Sequence, residues 1–115
     1  MSLRSPITTH VLDTSAGRPA AGVRVELEVE TLGQFVHVAS GTTNDDGRIG
    51  DLMTPGTLEA GVYRLTFGLA DYWARRGIVG FYPEASIVFE VRDTAQHYHV
   101  PLLLNPFGYS TYRGS

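Results

Sequence analysis

From Val23 to Glu30 the chain alternates without a break, with Val23, Val25, Leu27 and Val29 on one side and Arg24, Glu26, Glu28 and Glu30 on the other. Side chains of an extended segment point to opposite faces in turn, so this stretch predicts a strand half-buried against a core. Gly33-Gln34 reads as a turn, and Phe35 to Thr43 as the partner strand of a hairpin. Val62 to Phe67 sets Tyr63, Leu65 and Phe67 against Arg64 and Thr66, and Ile87 to Arg92 sets Ile87, Phe89 and Val91 against Val88, Glu90 and Arg92. Both are predicted strands. Ile7 to Leu12 predicts a further strand at the N-terminal end, and His97 to Leu104 and Phe107 to Tyr112 predict two more around Asn105-Pro106. Only Leu69 to Arg76, which has no internal Gly or Pro and is followed by Gly77, predicts a short helix.

Short strands at close spacing with turn residues between them favour two packed sheets over a parallel sheet. Asn44-Asp45-Asp46-Gly47 is the strongest turn signal, because these residue types tolerate the positive φ of tight turns. It places Arg48 just past a turn. With 115 residues, no internal repeat and no linker, the chain is expected to be one domain spanning residues 1–115.

Composition removes several function classes. The net charge is −3 and all nine cationic Lys/Arg positions are Arg, scattered singly apart from Arg75-Arg76, which argues against nucleic acid as a partner. A flat small anion fits better, since a guanidinium presents a rigid fork of donors. There is no cysteine, so disulfides, thiolate metal sites and a cysteine nucleophile are excluded. No run approaches the length of a membrane span, and Met1 to Ile7 lacks the apolar core of a leader. The expected compartment is the cytoplasm, or the periplasm if a signal segment has been removed.

Four histidines carry the candidate chemistry: His10, His37, His97 and His99. Residues two apart on a strand share a face, so His97 and His99 are expected to point the same way. Three readings are open. They are surface histidines without chemistry, a three-histidine metal site of His10, His97 and His99, or acid and base groups at His10 and His99 near neutral pH. The last needs an anion holder, and Arg48 is the candidate. The end of the chain stays apolar and aromatic almost to Ser115, where chain ends are usually polar and frayed, so it is expected to be anchored.

Ile7-Thr8-Thr9-His10-Val11-Leu12-Asp13, the Gly17-Arg18-Pro19-Ala20 loop, Thr43 to Arg48 and the run His97 to Ser115 closely resemble the 5-hydroxyisourate hydrolases of the transthyretin-like family. The terminal Tyr112-Arg113-Gly114-Ser115 resembles the ending that separates these enzymes from the hormone-binding transthyretins. Asn105 departs from the pattern, which has Ser there.

The resemblance implies an all-β, transthyretin-like (prealbumin-like) sandwich of two four-stranded sheets with one short helix. It implies a homotetramer, a dimer of dimers with active sites at the dimer-dimer interface. The implied activity is cofactor- and metal-independent hydrolysis of 5-hydroxyisourate in urate catabolism. The implied catalytic residues are His10, Arg48, His99 and Ser115, and the implied substrate-binding residues are His10, Arg48, Tyr112, Arg113 and Gly114. Ser115 would orient a histidine through its hydroxyl or a terminal carboxylate, and either histidine could begin as the base. The rival readings are a carrier that binds an aromatic ligand without reacting it, and a sandwich that only presents an edge for protein contacts.

Overall fold

The structure, a computed structural model, describes residues 4–115. Met1, Ser2 and Leu3, part of the N-terminal stretch considered above for a leader, lie outside the described residues. The elements run β1 (Ile7–Asp13), β2 (Arg18–Pro19), β3 (Arg24–Thr31), β4 (Gln34–Thr42), β5 (Arg48–Ile49), β6 (Gly61–Gly68), α1 (Ala70–Arg75), β7 (Glu84–Val91), β8 (Tyr98–Asn105) and β9 (Gly108–Thr111). No helix among the described residues is long and apolar enough to cross a membrane.

One sheet has the order β4-β3-β6-β7, antiparallel throughout. In the other, β2 pairs with the end of β1 and β5 with its middle, on the same edge, followed by β8 and β9. That sheet is therefore four strand positions wide, as expected, with its edge position split in two. β1 and β8 pair in parallel, from Ile7↔Tyr98 to Asp13↔Leu104. Alternation along a strand marks its buried face but not its partner, so this pairing was not visible in the sequence.

The core lies between the sheets. Val25, Leu27, Tyr63, Leu65 and Phe67 from one sheet meet Ile7, Val11, Val100, Leu102 and Leu104 from the other, all buried. Burial of this kind supplies about 1.5–3 kcal/mol per large side chain. The opposite positions of β1 and β8, Thr8, His10, Leu12, His99 and Leu103, are half-buried on the outer face.

The turn after β3 falls one residue earlier than expected. Thr31 pairs with Gln34, leaving Leu32 (φ 53°) and Gly33 (φ 79°) as a two-residue loop. Two positive φ values match the right-handed twist of the strands they join. Leu32 is fully exposed and gains no burial to offset this backbone.

Helix α1 is anchored by Tyr72 and Trp73, both buried, and its C-terminal end meets Asp13 at the end of β1. The Asp13 carboxylate accepts from the Tyr72 hydroxyl (2.6 Å), the Ser15 hydroxyl (2.6 Å) and the backbone N–H of Ala16 (3.1 Å), and pairs with Arg76. Desolvation pushes the Asp13 pKa up, but these hydrogen bonds and the Arg76 charge outweigh it and hold it below the usual carboxylate value. Burial and the neighbouring carboxylate push Tyr72 up to about 12.

A carboxyl whose folded pKa is lowered adds stability above its unfolded pKa and loses that stability as pH falls towards the folded value. Tyr72→Phe should lower the urea-unfolding free energy by about 1–3 kcal/mol at neutral pH. The gap to the parent should shrink below the ordinary carboxylate range. Leu32→Asn should instead raise stability, by up to about 1 kcal/mol, in the same urea titration.

Candidate active site

The site is built on the outer face of the second sheet, where four chain segments come together. Its first component is the turn at 44–47. Asn44 Oδ1 accepts from the backbone N–H groups of Asp46 (2.9 Å) and Arg48 (3.0 Å), and Gly47 N–H donates to the Asn44 carbonyl (2.8 Å). Gly47 has φ 74°, and a Cβ there would lie 2.3 Å from the Val11 carbonyl oxygen. Only glycine satisfies both conditions. Its carbonyl accepts from Val11 N–H (2.7 Å), so the turn is fastened to β1 and β5 pairs with it, His10 opposite Arg48.

β8 supplies the second component. Its parallel register sets His99 beside Thr8. The Thr8 hydroxyl lies 2.8 Å from His99 Nδ1 and 2.9 Å from His97 Nε2. Both histidines thus face the same way, as the spacing predicted.

The C-terminal segment is the third component, and it is anchored as expected. Thr111 donates through its hydroxyl to the Pro101 carbonyl (2.7 Å), and Gly114 N–H donates to the His99 carbonyl (2.8 Å). A Cβ on Gly114 would stand 2.5 Å from His99 Cδ2, so the imidazole packs directly on the glycine. The His99 ring is held from two sides, by Thr8 and by Gly114.

Arg48, Thr8, His97, His99 and Ser115 line a cavity of about 200 Å³ in this face, with Arg4 at its margin. His10 is not among its lining residues but is the register neighbour of Arg48, and its charge acts on His99. Two expected contributors face elsewhere in the single chain. The Arg113 guanidinium lies 4.6 Å from the centre of the Tyr98 ring and donates to Gln96 Oε1 (2.7 Å). Tyr112 is largely exposed and lines a neighbouring groove with Arg113. Gly114 contributes space for His99. Thr8 was missed as a site residue, although its signal was present: it lies two positions before His10 and shares its face.

The electrostatics favour neutral imidazoles. Burial lowers the His10 pKa and the Arg48 charge lowers it further, while a hydrogen bond to the Asp46 backbone and the Asp46 charge partly oppose this. Burial likewise lowers His99, followed by the charges of Arg48, His10, His97 and Arg4. Arg48 lines the cavity and forms no ion pair among the described residues. Neutral bases beside an uncommitted guanidinium can receive a small anion and move its protons. No three His, Asp or Glu side chains converge among the described residues, and His97 and His99 each direct a ring nitrogen at Thr8.

The profile of the HIUase/Transthyretin family matches residues 7–114. The chain belongs to that family. It is 44% identical over 113 residues to the 5-hydroxyisourate hydrolase of Mus musculus, covering 96% of each chain. Among solved structures it resembles 5-hydroxyisourate hydrolase from Klebsiella pneumoniae, with TM-score 0.83 and 39% identity over 95% of this chain and 97% of that one. Sea bream transthyretin in complex with thyroxine gives TM-score 0.90 at 34% identity over 95% and 94% of the two chains. The backbone is thus shared by a hydrolase and a thyroxine-binding transthyretin, and side chains must separate the two activities.

Gly114→Ala should displace the His99 ring. In an NMR spectrum the His99 ring protons should shift, while those of His37, on the other sheet, stay in place.

Proposed function

We propose that this chain hydrolyses 5-hydroxyisourate, opening its six-membered ring to give 2-oxo-4-hydroxy-4-carboxy-5-ureidoimidazoline, a step of urate degradation. The observation that carries this reading is the meeting of Arg48, His99 and Ser115 at one cavity, with His10 paired opposite Arg48, on a chain whose relatives are named for that reaction. A carrier needs an apolar slot and has no use for two neutral imidazoles beside an unpaired guanidinium.

Arg48 holds the anionic substrate in its fork and offsets charge as the attacked carbonyl oxygen becomes an oxyanion. Water attacks that ring carbonyl, with His10 and His99 sharing the base and acid work. The hydrogen bond to the Asp46 backbone fixes which His10 nitrogen keeps its lone pair. Ser115 closes the cavity beside His99 and orients it. Arg113 secures the terminal segment through Tyr98 and Gln96.

The cavity opens outward on the sheet face, so we assign a homotetramer in which a second copy closes it across a two-fold axis. No metal or cofactor enters the proposal.

The test is to generate 5-hydroxyisourate from urate with urate oxidase and follow its ultraviolet decay with this protein added. Decay no faster than in buffer overturns the hydrolase reading, and binding of an aromatic ligand without turnover would favour the carrier. His99→Asn should lower kcat by about 10²–10⁴ without moving the thermal midpoint. Deleting Ser115 should also slow the reaction. Because both imidazoles are held below the ordinary value of 6.5, the acid limb of kcat/KM should fall below that pH, activity being lost as the bases protonate.

A further inference from the structure

The Thr8 hydroxyl occupies an unusual position, within hydrogen-bond reach of one nitrogen on each of two histidines. A hydroxyl has one proton and two lone pairs, and the two imidazoles are the only hydrogen-bond partners of Thr8 Oγ1 among the described residues, so its proton goes to one ring and it accepts from the other. Two proton arrangements follow. In the first, His99 Nδ1–H donates to Thr8, Thr8 donates to His97 Nε2, and His97 keeps its proton on Nδ1. In the second, His97 Nε2–H donates to Thr8, Thr8 donates to His99 Nδ1, and His99 carries its proton on Nε2. With both rings neutral and Thr8 donating to one while accepting from the other, the two histidines share the same tautomer. The first arrangement leaves a lone pair on His99 Nε2, and the second leaves an N–H there.

His97 also borders two spaces. It lines the 200 Å³ cavity with His99 and Ser115, and a second cavity of about 470 Å³ with Pro6, Leu58, Thr94 and Gln96. It therefore forms part of the wall between the reaction site and a solvent-facing pocket.

We propose that His99, Thr8 and His97 form a proton relay that turns His99 from base to acid and passes the proton through His97 to the adjoining pocket. Its use in catalysis rests on the hydrolase reading, but the coupling between the rings does not. The step balances as follows. Water gives a proton to His99 Nε2, the His99 Nδ1 proton moves to Thr8 Oγ1, and the original Thr8 proton moves to His97 Nε2. His97 then releases its Nδ1 proton to solvent. An O–H of the attacking water breaks as its oxygen bonds to the ring carbonyl carbon, and one proton leaves the far end.

The physical advantage lies in the surrounding charge. His99 faces Arg48 from β5, His10 from β1, His97 from its own segment and Arg4 from the chain before β1, all of which oppose a lasting imidazolium. Arg4 opposes one on His97 as well. A relay lets His99 accept a proton on one nitrogen while losing one from the other, so no cation persists beside Arg48. His99 Nε2–H can then protonate the departing ring nitrogen as the relay runs back: Thr8 gives its proton to His99 Nδ1, His97 Nε2–H gives its proton to Thr8, and His97 Nδ1 takes one proton from the adjoining pocket, which restores the first arrangement.

Two measurements test this. The first reads ring tautomers from nitrogen-15 NMR of the resting protein and needs no substrate. Both rings should show the same tautomer or the same mixture, and Thr8→Val, which preserves shape but removes the hydroxyl, should let them differ. Opposite tautomers in the parent, or no change in Thr8→Val, overturns the coupling. The second measures hydrolysis. Thr8→Val and His97→Gln should each lower kcat about 10-fold or more with KM little changed. Thr8→Ser should recover most of the loss, and added imidazole buffer should partly rescue His97→Gln by taking the proton from solution. A merely structural role would give no buffer rescue. Normal kcat in a Thr8→Val protein that melts like the parent overturns the relay, whereas absence of turnover in the parent overturns the hydrolase reading and leaves the tautomer result to decide the coupling.

Discussion

The parallel register between β1 and β8 places Thr8 against His99 across 91 residues of sequence, and every other feature of the site refers to that alignment. A shift by one residue would turn His99 into the core and Val100 outward. The buried residues of both strands forbid such a shift, since Ile7, Val11, Val100, Leu102 and Leu104 all pack inward. Core packing and active-site geometry are therefore the same constraint seen from the two faces of one sheet. The candidate site occupies the outer face because the inner one has no room for water or substrate.

Two further segments complete the face, each through glycine. Gly47 allows the Asn44 turn to press against the Val11 carbonyl and deliver Arg48 to His10. Gly114 allows the terminal segment to pair with the backbone of His99 while leaving space for its ring. In both places the missing Cβ determines where a neighbouring functional side chain stands. The Arg113 contacts with Tyr98 and Gln96 supply the corresponding anchor for the last residues. The terminal tetrapeptide thus acts as a brace as well as a boundary of the cavity.

The same backbone serves a thyroxine-binding transthyretin and a hydrolase, so the sandwich itself is neutral between them. On that backbone this chain places a set of groups that would be costly in a simple slot. The imidazoles are half-buried, their protonation opposed by desolvation and by Arg48. Arg48 has no carboxylate partner among the described residues. Such arrangements weaken a fold slightly and are useful where an anion must be bound and protons moved.

Much of the architecture was legible in the chain because strand alternation is a local property. The inward residues of β3, β6 and β7, the helix before Gly77 and the turn before Arg48 all followed from residues close together in sequence. Family resemblance pointed to His10, Arg48, His99 and Ser115. Other features depended on residues far apart. The sequence contained no mark of the parallel pairing, of Thr8 shared between two histidines, or of Arg113 turning onto Tyr98. By itself the sequence determined which side chains face the core and which chemistry is available on the other face, because burial pattern and residue type are written position by position. Only the tertiary structure decided which of those groups touch, because register and close approach arise when distant strands pack together.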